Sequence, residues 1–183
     1  MPVDEAALRF GFIPARFSGL ELPFAATPAI LTPLTATLVH GNFIHLAFNL
    51  LMLLWCGAAV ERVLGKPALI LIYIVGAYTA AIAQWVVSPM GTEPMIGASG
   101  AISAVIGAFA LSFGRPKQIV RSARLNRFIN SLWLLGAWIL LQVAVAWLAG
   151  SEGVFLATPA HIGGFLAGLL LQRPLLIWRY RSA

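Results

Sequence analysis

Met95-Ile96-Gly97-Ala98-Ser99-Gly100-Ala101-Ile102-Ser103 sets a serine among small residues where a polar loop turns into an apolar helix. Small residues of this kind line close contacts between membrane helices, so the stretch taken alone reads as a packing face. A chemical role for Ser99 needs more: a base, donors for a developing negative charge, and a matching membrane depth elsewhere in the chain.

The composition places that stretch in lipid. Of 183 residues, 60% are hydrophobic and 10% charged, against about 25% charged in a soluble domain. A single cysteine, Cys56, lies inside an apolar run; it reads as a small buried hydrophobe and excludes a disulfide framework or a thiolate metal site. The net charge of +6 reports topology and anionic headgroups in such a chain rather than nucleic acid. The first 21 residues carry Asp4, Glu5, Arg9, Arg16 and Glu21 without an apolar core, unlike a signal peptide.

A bilayer core needs about 20 apolar residues per helix. Five stretches qualify, at 42–60, 68–87, 97–113, 128–149 and 158–172, the last being short unless it begins near Val154 or lets Arg173 snorkel to the interface. Residues 22–39 are also apolar, but Pro23, Pro28 and Pro33 would each break a helix, and the region reads as a loop at the membrane surface. The expected organisation is an N-terminal extracytoplasmic segment and interfacial loop (1–41), an all-α polytopic membrane domain (42–177) and a cytoplasmic tail (178–183). Ten of the twelve basic residues fall on alternate connections: Arg62 and Lys66; Arg115, Lys117, Arg121, Arg124 and Arg127; Arg173, Arg179 and Arg181. Those connections and the C-terminus are therefore expected in the cytoplasm, with the N-terminal segment and the 88–96 and 150–157 loops outside.

Polar groups within spans are costly and read by default as functional. His45 and Asn49 are four apart and share one helix face. His40 lies just before them; His161 opens the last span and Ser99 the third. The topology puts all five toward the same outer leaflet. Gly164 and Gly168 form a small-xxx-small pair about one turn beyond His161, and Gly97, Gly100, Ala101, Ala104 and Gly107 offer a matching face. Helices packed there would bring His161 within reach of Ser99. A neutral imidazole can take the serine proton, and His45, the Asn49 amide and the Ser99 N–H are reasonable oxyanion donors. Glu93 and Glu152 are the nearest outer acids and read as loop residues, so the pattern is a dyad rather than a triad. A zinc site on His40, His45 and His161 lacks a membrane-embedded carboxylate or thiol to complete it, and the Gly-x-Ser-x-Gly elbow fails because position 101 is Ala.

These residues resemble the rhomboid family of intramembrane serine proteases. The resemblance rests on His40-x4-His45-x3-Asn49, Gly97-Ala98-Ser99-Gly100 and Ala160-His161-x2-Gly164-x3-Gly168, supported by Pro33-Leu34-Thr35 and by Val60-Glu61-Arg62 with Gly65, and covers roughly residues 10–175. It implies a helical bundle in which Ser99 is the nucleophile, His161 the base and later the acid, His45 and Asn49 stabilise the oxyanion, and His40 supports the site. It also implies cleavage of transmembrane segments of other membrane proteins near the outer face, without cofactor or metal, and a bacterial inner-membrane location. Two departures stand out. The family core usually has six helices, so the first helix is expected to be missing from this chain, and five spans with the C-terminus inside put Met1 outside. The family often carries an aromatic residue four places after the serine to stack on the histidine, where this chain has Ser103. Loss of a helix motivates an alternative, a catalytically impaired rhomboid-like protein that binds transmembrane helices. Transport fits less well, since no span is broken at mid-membrane and none holds an acid there.

Overall fold

The computed structural model describes residues 1–113, 118–148 and 158–181, and is helical, with no strand among the described residues. A short amphipathic helix, α1 (Val3–Phe10), precedes five longer ones: α2 (Phe43–Leu64), α3 (Lys66–Val87), α4 (Ser99–Phe113), α5 (Ala123–Leu148) and α6 (Thr158–Arg179). By length and composition α2, α3, α5 and α6 can each cross a membrane, the last two within 22-residue segments of mean hydropathy 1.3. The chain is an all-α polytopic membrane bundle. Glu152 and the 150–157 loop, and Arg115 and Lys117 of the basic loop, lie outside the described residues.

Three of the helices begin for visible local reasons. The Asn42 side chain caps α2 by accepting from the His45 N–H at 2.9 Å. Gly65, at φ +88°, makes the one-residue turn into α3, where Pro67 sits in the first turn. The Asn126 carboxamide holds the backbone N–H groups of Ile119 and Val120, both at 3.0 Å, and shapes the entry to α5. Within α2 the turn at Leu53–Gly57 widens to a π-helix, leaving Leu54 and Trp55 on the outside while Cys56 is buried. Arg173 and Pro174 do not stop α6, which continues to Arg179; near a helix end few residues follow, and a tertiary contact holds them. The Arg179 guanidinium and the Tyr180 hydroxyl reach the carbonyls of Glu61 and Val63 at the α2–α3 turn.

The core lies between α3, α4 and α6. α4 is its axis: Ala101, Ile102, Ser103, Ala104, Val105, Ile106 and Ala108 are all buried. Glycines make the close approach possible. A methyl on Gly76 of α3 would lie 2.5 Å from the Ala104 Cβ, and one on Gly100 would lie 2.7 Å from the Ala80 Cβ. Many other large apolar residues point outward, among them Leu51, Leu54, Ile70, Ile82, Leu140, Leu170 and Ile177. This arrangement suits a bundle in lipid, where small residues mediate helix contacts.

The N-terminal 40 residues form a cap over one end of the bundle. Phe12 and Met95 exchange backbone hydrogen bonds of 2.9 and 2.8 Å, Ala15 N–H donates to the Gly91 carbonyl, and Gly97 N–H donates to the Ala36 carbonyl. Thr35 donates its hydroxyl to the Phe10 carbonyl, and Trp85 holds Ser18, which holds Pro89. Phe12 and Ile13 are buried beneath this stitching. The loop that delivers Ser99 is thereby fixed by residues far away in sequence.

Candidate active site

The loop turns into α4 at Gly97, whose φ of +104° is open to glycine at little cost. That conformation leaves Ser99 as the first residue of α4 and buried, 8% exposed. His161, in the first turn of α6, is 4% exposed, and its Nε2 lies 2.9 Å from Ser99 Oγ. The approach is set on α6, where Gly164 lies against the Gly100 carbonyl and Gly168 against the Ala104 carbonyl. Gly107 returns the contact against the Phe165 carbonyl. The four glycines expected at the site are thus at or beside it: Gly97 at the turn, and Gly100, Gly164 and Gly168 in the seam.

The other expected residues gather on the opposite side of Gly97. The His45 ring lies over that glycine, and a methyl there would stand 2.6 Å from its Cε1 and Nε2. Asn49 is buried and donates from Nδ2 to the His45 carbonyl at 2.9 Å, leaving its second N–H free and its Oδ1 without a partner among the described residues. His40 meets His45 edge to face with ring centroids 5.0 Å apart. Burial lowers the His40 imidazole below its ordinary pKa, against a hydrogen bond to the backbone at Leu38 that acts the other way. Its Nε2 is buried without a partner among the described residues. Among the described residues, no hydrogen bond joins His40, His45 or Asn49 to Ser99.

Gly97 yields a test at this point. Gly97→Ala puts a methyl into the His45 ring and holds a side chain at positive φ, which costs roughly 1–2 kcal/mol in backbone conformation alone. We expect this variant to lose most probe reactivity at Ser99 while its helical circular dichroism stays unchanged; full reactivity would show that the Gly97–His45 contact does not matter.

Two residues of α5 also reach the site. The Trp138 ring stands edge to face against His161, with centroids 6.4 Å apart and planes at 73°. The Gln142 Nε2 lies 3.4 Å from His161 Nε2. An amide nitrogen only donates, so this contact suits an imidazole presenting its Nε2 lone pair, the form a base requires. Sequence reasoning passed over both. The available signal was a tryptophan and a glutamine four apart, on one face of an otherwise apolar span.

A polytopic bundle of membrane helices holding a buried serine–histidine pair defines the class. The comparisons narrow it: the Rhomboid domain model matches residues 29–178, and the chain belongs to the rhomboid family. Rhomboid protease GluP of Bacillus subtilis is 35% identical over 136 residues, 74% of this chain. RHOMBOID-like protein 5 of Arabidopsis thaliana is 27% identical over 139 residues, 76% of this chain. Rhomboid protease GlpG of Haemophilus influenzae is 29% identical over 134 residues, 73% of this chain. The matches span 24%, 42% and 64% of these three relatives' own lengths.

Proposed function

We propose that the chain is an intramembrane serine endopeptidase that cleaves transmembrane segments of membrane proteins. The observation that carries this reading is the 2.9 Å contact between Ser99 Oγ and His161 Nε2, both buried at adjoining ends of α4 and α6. A serine hydroxyl is a weak nucleophile until a base takes its proton. In the proposed reaction His161 Nε2 accepts that proton as Ser99 Oγ bonds to the scissile carbonyl carbon. The carbonyl oxygen becomes an oxyanion, with the free N–H of Asn49, the His45 ring and the Ser99 N–H as its donors. Collapse breaks the carbon–nitrogen bond, and His161 returns the proton to the leaving amine. Water then attacks the acyl ester by the same route in reverse, releasing the acid and restoring Ser99. His40, packed on His45, supports its ring.

The lengths of the helices favour a site within lipid depth. The 15 residues of α4 reach about 22 Å at 1.5 Å per residue, short of the ~30 Å hydrocarbon layer. The described part of α4 thus fits within that layer, which supports a site below the bilayer surface. The basic connections favour a cytoplasmic C-terminus by the positive-inside rule, and on that reading we assign the Ser99 end to the extracytoplasmic side of a bacterial inner membrane. Substrates on this reading are membrane-anchored proteins whose helix can unwind into the site from the surrounding bilayer.

A fluorophosphonate probe tests the reading without a known substrate. It should label the purified chain at Ser99, and His161→Ala should remove labelling while the helical content stays unchanged. Absence of labelling in the parent chain would overturn the reading and favour a rhomboid-like binder of transmembrane helices. Where cleavage is assayed, His45→Ala and Asn49→Ala should each lower kcat, by up to about 10²–10³-fold, the size of the loss of one oxyanion donor. An unchanged kcat in both would remove these residues from the oxyanion site.

A further inference from the structure

Position 103, four residues after Ser99, carries serine, and the ring that stands against His161 comes from another helix. Trp138 comes from α5 and stands against His161 at 6.4 Å between centroids. Its indole Nε1 donates to Ser103 Oγ at 2.7 Å. Ser103 Oγ in turn donates to the Ser99 carbonyl at 2.7 Å. One side chain thus touches the ring of the base and reaches, through one hydroxyl, the backbone of the nucleophile. All three partners are buried: Trp138 is 3% exposed, Ser103 0% and His161 4%.

We propose that Trp138 is the positioning residue of the dyad, holding the His161 ring in line with Ser99 and anchored itself through Ser103; this inference rests on the protease reading above. An indole buried in lipid needs a partner for its N–H, because an unpaired donor there is costly. Ser103 Oγ is the acceptor it finds among the described residues, so the bond fixes the indole's rotation as well as its place. The edge-to-face packing then limits how far the imidazole can turn. An aromatic side chain at 103 would meet the indole, whose Nε1 already stands 2.7 Å from the Ser103 hydroxyl. Serine at 103 and tryptophan at 138 consequently form a matched pair: a small hydroxyl on α4 makes room for a large ring from α5 and pins it.

The test uses the full chain in detergent micelles with isotope-labelled histidine. Three quantities are read: the rate of fluorophosphonate labelling at Ser99, kcat and KM on a single-span reporter, and the NMR shifts of the His161 ring protons. Trp138→Ala should slow labelling and lower kcat by roughly tenfold to a hundredfold, the scale of misplacing a reacting group by about an ångström. KM should stay within about twofold, since what is lost acts on the transition state rather than on substrate binding. The His161 ring protons should move as the indole ring current disappears. Trp138→Phe keeps a ring and should retain more labelling than Trp138→Ala, while Ser103→Ala, which removes a single oxygen, should give an intermediate loss. Trp138→Ala with Ser103→Tyr should recover part of both the labelling rate and the ring-current shift, because the ring then comes from α4. Unchanged labelling and unchanged His161 shifts in Trp138→Ala would overturn the proposal. So would a raised KM with unchanged kcat, which would assign Trp138 to substrate contact. If the parent chain itself is not labelled, the protease reading fails, and the His161 shifts still decide whether Trp138 positions the ring.

Discussion

Ser99→Ala is expected to reduce cleavage of a single-span membrane reporter to background, a loss of roughly 10⁴-fold or more. The argument is one of chemistry with little change in shape. Ser99 Oγ is the atom 2.9 Å from His161 Nε2, and removing it leaves the base with nothing to deprotonate. The substitution takes away one buried oxygen and adds no atom, so the helices should pack as before. His161→Ala should give a similar loss, because the two residues act as a unit and removing either stops the same step. The double variant should be no worse than the single ones. Measurement is by reporter cleavage in liposomes, with thermal unfolding as the control for folding. Cleavage by Ser99→Ala at more than a few per cent of the parent rate would remove Ser99 from the reaction, whatever its geometry.

The second large effect is expected from Gly168→Leu, far along α6 from the dyad. Any Cβ at 168 would drive into the Ala104 carbonyl and would stand 2.9 Å from the Ala108 backbone nitrogen. Backbone atoms of a buried helix cannot swing aside as a side-chain tip can, so α6 must move away from α4. Overpacking usually costs about 1–3 kcal/mol, and more where nothing can yield. The displacement also carries His161, two turns up the same helix. A shift of about an ångström at a reacting group is worth ~100-fold in rate, so we expect cleavage to fall at least that far. Gly164→Val, which meets the Gly100 carbonyl and comes within 3.3 Å of the Ser103 Cβ, should act the same way closer to the site. The check is reporter cleavage together with fluorophosphonate labelling; parent-level activity in both variants would show that α4 and α6 do not need this approach.

Parts of this molecule can be read along the chain. The helical membrane class was legible because lipid leaves little choice: apolar runs of spanning length must be helices or a closed barrel, and these runs lack strand alternation. The candidate residues were legible because Ser99, His45, Asn49 and His161 are costly in such runs. Helix ends were less so. The apolar stretch at 158–172 ends before Arg173, yet the helix runs on to Arg179, whose guanidinium is held at the α2–α3 turn. The folding of the first 40 residues over the loop at 88–97 left no periodic trace, because it depends on backbone hydrogen bonds such as Phe12 with Met95, which any residues but proline can make.

By itself the sequence determined that this chain forms an apolar helical bundle, which residues in it are chemically able, and which helices carry the small faces that let them meet. Those facts follow from composition and from spacing within one helix, where geometry is dictated by the backbone. Only the tertiary structure decided that Ser99 and His161, 62 residues apart, stand at hydrogen-bond distance. It alone decided that the ring beside the histidine comes from Trp138, 35 residues beyond the Ser103 it bonds. The reason is physical: contacts between helices depend on each one's rotation and depth against the others. Glycines on partner helices set those quantities, and no spacing along a single segment reports them.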